Sequence, residues 1–76
     1  MYGMAGPQPL KRVIRSKETG KFFKDGDWTD GPDDATNFPS AAEAARACST
    51  YQLRNAELIL WFGRKELDVS LPICQD

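Results

Sequence analysis

Residues 39–62 read PSAAEAARACSTYQLRNAELILWF, and a change of apolar spacing inside this stretch decides the fold. In its first half Ala41, Ala44, Ala45, Cys48 and Tyr51 recur at three- and four-residue intervals while Glu43, Arg46 and Thr50 fall elsewhere, which is the pattern of one helical face. Ser40 and Glu43 form a capping box: the serine hydroxyl accepts from the Glu43 backbone N–H, and the Glu43 carboxylate reaches back to the Ser40 N–H. Phe38 stands near the position from which a hydrophobic staple packs onto the first turn. The helix is expected to run from Ser40 to about Arg54, with Asn55 as a left-handed stop. Its alanines let it approach a partner layer closely. The second half, AELILWF at 56–62, is a continuous apolar run bounded by Asn55 and Gly63, and its length suits a strand buried on both faces.

Upstream, residues 10–16 combine Leu10, Val13 and Ile14 with Lys11, Arg12 and Arg15 and read as a strand. Residues 17–20 are polar and end in Gly20, which suits a hairpin loop with one left-handed position. The returning strand is 21–24, in which the adjacent Phe22 and Phe23 must point to opposite faces. Residues 25–37, DGDWTDGPDDATN, have the composition of a long acidic loop without elements of its own. Trp28, alone in it, is expected to fold back over one edge of the core. Downstream, residues 63–66 form a polar turn, and Leu67, Val69 and Leu71 alternate with Asp68 and Ser70 as a short edge strand ended by Pro72. The fold class is α+β: a small β-β-α-β domain with one helix packed on an antiparallel sheet and a short C-terminal edge strand. Residues 1–9 are read as a flexible arm, 10–71 as the single domain and 72–76 as a frayed tail.

Seventy-six residues give one domain with a small core, since a chain this short buries only about 60% of its unfolded surface. Apolar residues at 41% and charged ones at 28% are globular composition and exclude a disordered, collagen-like or coiled-coil chain. No apolar run reaches the ~20 residues that cross a bilayer, and residues 1–9 lack the basic start and apolar stretch of a signal peptide. A cytoplasmic location follows, with Cys48 as a reduced, small core hydrophobe. Cys48 and Cys74 are too few and too far apart for a four-ligand zinc site.

Histidine is absent, which removes the Ser-His-Asp and Cys-His arrangements and the commonest general base. Asp25, Asp27 and Asp30 have the look of a calcium loop, but Asp30 stands where that loop needs glycine and Thr36 where it needs a bidentate glutamate. A pair of carboxylates such as Glu43 and Glu57 could do acid-base work in principle, but Glu43 is accounted for by its cap. No phosphate-binding glycine loop is present. The chain is therefore expected to be no enzyme and to use no cofactor or metal.

Two function classes remain. Four Phe, two Trp and two Tyr exceed what one helix covers, which points to a protein-interaction or self-associating module, with Trp28 and Trp61 as partner contacts. The alternative is nucleic-acid binding by the basic hairpin 11–24, through Arg12, Arg15, Lys17, Lys21 and Lys24. It requires those cations to share a face and the five aspartates of 25–34 to lie elsewhere, because folded over the hairpin they cancel its field.

The segment 13–45, with VIRSKETGKFF, then WT, then Ala35, Phe38, Ser40, Glu43 and Ala44 in the pattern A-x-x-F-x-S-x-x-E-A, resembles small uncharacterised proteins of bacterial or phage type. The resemblance implies a hairpin delivering the chain to a capped helix. It implies no chemistry.

Overall fold

The computed structural model describes residues 9–63 and 68–73. Five strands and one helix follow in the order β1 (Lys11–Ser16), β2 (Phe22–Lys24), β3 (Asp27–Thr29), α1 (Ala41–Thr50), β4 (Ala56–Trp61) and β5 (Val69–Pro72). They form one antiparallel sheet in the spatial order β3-β2-β1-β4-β5, with the helix against β1. The α+β reading holds, with the helix on an antiparallel sheet and the short C-terminal edge strand in place.

One element was not anticipated. Inside the acidic stretch, β3 pairs with β2 through Phe22↔Thr29, Phe23↔Trp28 and Lys24↔Asp27. The connection is Asp25-Gly26, both at positive φ (47° and 89°), the geometry of a two-residue hairpin turn whose twist matches the strands it joins. The other hairpin turn is as expected. Gly20 sits at φ 78°, and the Ser16 hydroxyl accepts from the backbone N–H groups of Glu18 and Thr19.

Beyond Arg15↔Phe22, β2 gives way to the segment that leads into the helix. The Phe38 N–H donates to the Arg12 carbonyl at 2.9 Å and the Thr36 N–H to that of Phe23 at 3.0 Å. The Arg12 N–H donates to Asn37 Oδ1. The bonds to Arg12 satisfy backbone groups of β1 that β2 is too short to reach, the bond to Phe23 satisfies β2's own inner edge, and together they draw Phe38 into the core.

At the helix start the Ser40 hydroxyl accepts from the Glu43 N–H at 3.2 Å, the first half of the capping box. The helix ends earlier than its periodicity suggests. Gln52 takes φ 55°, the Gln52 N–H donates to the Ser49 carbonyl and the Leu53 N–H to that of Cys48, which is a Schellman motif. Asn55 is also left-handed, but it serves the entry to β4. The buried face is Ala44, Ala47 and Cys48, while Ala41 and Ala45 are exposed. Expected and observed faces differ because five alanines in the helix leave little contrast between its sides.

The centre of the sheet is buried on both faces. On the helix side Ile14, Phe23, Phe38, Ala56 and Leu58 pack with Ala44, Ala47 and Cys48. On the other side Val13 and Ile59 pack with Ala35 and the half-buried Phe22. Phe22 and Phe23 thus divide between the faces as expected. Cys48 is disulfide-bonded, which corrects the reduced thiol expected from sequence; Cys74, the other cysteine of the chain, lies outside the described residues. A cross-link suits a domain whose core is this small. Residues 1–8 of the expected arm, the turn at 64–66, Leu67 and residues 74–76 also fall outside the described residues. Pro72 belongs to β5, and Ile73 packs on the core.

Candidate functional site

Strand parity sorts the polar side chains. Arg15 and Glu57 are directly opposite across β1 and β4, on the face away from the helix. Arg15 Nε and Nη2 both donate to Glu57 Oε2, at 2.9 and 2.6 Å, and the Ser70 hydroxyl on β5 donates to Glu57 Oε1. The network spans three adjacent strands. Burial is the largest single influence on the Glu57 carboxyl and raises it; the Ser70 and Arg15 hydrogen bonds, with the charges of Arg15 and Lys17, outweigh it and hold the group below its ordinary range. Glu57 is a carboxylate with its oxygens engaged. Glu43 lies in the first turn of the helix, on the opposite side of the sheet, so Glu43 and Glu57 do not come together as a pair.

Around this network lies an open concavity of about 640 Å³ lined by Phe22, Pro32, Trp61, Gly63 and Asp68 among others. Asp68 Oδ1 is buried there without a hydrogen-bond partner, a costly state for a carboxylate oxygen. Among the described residues no cluster of three metal-ligating side chains occurs.

The basic hairpin is not a single positive face. Arg12 points to the helix side, where its guanidinium donates to the Pro39 carbonyl. Arg15 is held by Glu57. Lys11 donates to the carbonyls of Pro32 and Asp33 at 2.8 and 2.9 Å, and Lys21 faces Asp30 at 3.7 Å. Lys24 is opposite Asp27 in the β2–β3 ladder. Lys17 is exposed on the hairpin turn. The aspartate loop thus folds back along the hairpin.

Trp28 and Trp61 also fall on opposite faces. Trp28 meets Phe23 edge-on at 6.0 Å and is 37% exposed; Phe23 in turn contacts Phe38 and Tyr51. Trp61 is half-buried, opposite Lys11. The two therefore make no joint patch.

A further surface feature is the β5 edge. All four of its residues are exposed and none is charged. Val69 and Leu71, 41% and 39% exposed, face the helix side, opposite Leu60 and Leu58. Its apolar surface therefore continues the core outward to the sheet edge. Sequence alternation located this strand; that its flank stays uncovered depends on the helix packing over β1, which the sequence does not announce. No protein family, curated protein or solved structure matches the chain.

Proposed function

We propose that the protein is a non-enzymatic interaction module that binds protein, in the first instance a second copy of itself, through the β5 side of its sheet. The observation that carries this reading is an edge strand without charge whose two apolar side chains extend the core into solvent. Natural edges are blunted by charge, brevity, proline or cover; β5 is short and ends in Pro72, but it carries no charge and its flank is exposed, so the residues ahead of the proline are open as a template for another strand. Nucleic-acid binding draws less support, because Arg15, Lys11 and Lys21 are engaged by Glu57 and by the aspartate loop. Disulfides persist in oxidising compartments, so the thiol state of Cys48 in protein taken from cells decides whether the cytoplasmic expectation stands.

Sedimentation equilibrium over a wide range of concentration tests the reading. The apparent mass should rise with concentration for the native chain, and Leu71→Lys should stay monomeric with its fold intact. A native chain that remains monomeric at the highest concentration, indistinguishable from Leu71→Lys, overturns it.

A further inference from the structure

Resting on the self-association just proposed, we infer that β5 pairs antiparallel with β5 of a second copy about a two-fold axis at Ser70, with both helices on the same side of the joined sheet. Three features of β5 fix this geometry.

The first is Pro72, which pairs with Glu57 at the end of the β4–β5 ladder. Proline has no N–H, and in an edge strand its nitrogen side faces away from the ladder. Inward and outward backbone groups alternate along an antiparallel strand. Ser70, two residues earlier, therefore presents both its N–H and its C=O outward, and two copies related by a two-fold axis there exchange both bonds. Leu71 opposite Leu71 forgoes that pair and relies on Pro72, which has no proton to give.

The second is side-chain parity. Directly opposite residues share a face, so Ser70 against Ser70 sets Val69 against Leu71 of the second copy, twice, on the helix side where both are exposed. A shift by one residue sets Ser70 against Leu71, whose N–H and C=O point inward to Leu58 of β4, so the outward groups of Ser70 find no partner.

The third is charge. β5 carries none, and in this register Asp68 of one copy meets Pro72 of the other, so no like charges face each other. Self-complementarity of this kind identifies the occupant as the same chain. A seam of four residues is far below the ~1,000 Å² of a stable interface, so the pairing is reversible on dilution.

Isotope-filtered NOE measurements on an equal mixture of labelled and unlabelled chain, at a concentration where the mass has risen, test the geometry. Contacts between Val69 and Leu71 methyls of different copies are expected. Ser70→Pro removes the outward N–H and should weaken association at least tenfold. Cross-copy contacts centred on Trp61 or Trp28, or undiminished association of a folded Ser70→Pro, overturn this geometry and leave self-association standing. A native chain that never associates overturns both.

Discussion

The sheet has two edges, and they are built by opposite rules. At the β3 edge three residues follow a tight turn, Asp27 opens the strand and Asp30 follows it, and Trp28 is laid against Phe23. At the β5 edge Asp68 precedes the strand but the strand itself carries no charge, and Val69 and Leu71 are exposed on the helix side. Both strands are short, but negative charge within and beside β3 discourages a further strand; an uncharged apolar flank invites one. The chain thus closes one side of its sheet and leaves the other available, which is why association is assigned to β5 and not to the tryptophan at the opposite edge.

The sharpest way to break this contrast is to remove what fastens the β3 edge. Phe23 is buried and touches Trp28, Phe38 and Tyr51, so Phe23→Ala should cost about 3–5 kcal/mol in urea unfolding. A loss below about 1 kcal/mol shows that packing does not hold that edge. The turn is the next element. Gly26 lies at φ 89° and an added Cβ comes within 3.4 Å of Tyr51, so Gly26→Ala should cost about 1–2 kcal/mol, since left-handed backbone is strained for any residue with a Cβ. Faster amide exchange in β3, with β5 unchanged, is the expected signature.

The smallest effect sharpens the β5 side. The native Glu57 carboxyl titrates below its ordinary value, so its contribution is complete above about pH 4.3, the unperturbed glutamate pKa, and is lost as pH falls through the lowered native value. Arg15 is 35% exposed, and solvent screening limits the contribution to about 1 kcal/mol. The urea midpoint of Glu57→Gln should therefore lie below that of the native chain at neutral pH and converge with it in acid. Equal separation at both pH values shows that charge on Glu57 is not what holds β5.

How far these features could be read in advance depends on the distance over which each is specified. The Ser40 cap, the Gly20 turn and the alternation around Val69 are settled by neighbours a few residues apart, and they appear as the sequence indicates. β3 was legible in principle: Asp25-Gly26 between KFFK and DWT is a hairpin signal, obscured by the surrounding aspartates. The helix end was not, because glutamine at position 52 has no special preference for the left-handed conformation it adopts. Nor was the Arg15–Glu57–Ser70 network. Its first two members are separated by 42 positions in the chain, and only the register of β1 against β4 brings them together.

That register has a kinetic meaning. The longest ladder in the sheet, Lys11↔Trp61 through Ser16↔Ala56, joins strands with two strands and a helix between them in the chain. Loop-closure entropy must be met before those contacts give any return. The β1–β2–β3 meander can form early from local turns, but Val13 and Ile14 gain their β4 neighbours only when Ile59 and Leu58 arrive. On a ribosome the first three strands emerge well before their central partner, so refolding should be limited by the docking of β4 against β1 and not by either hairpin turn.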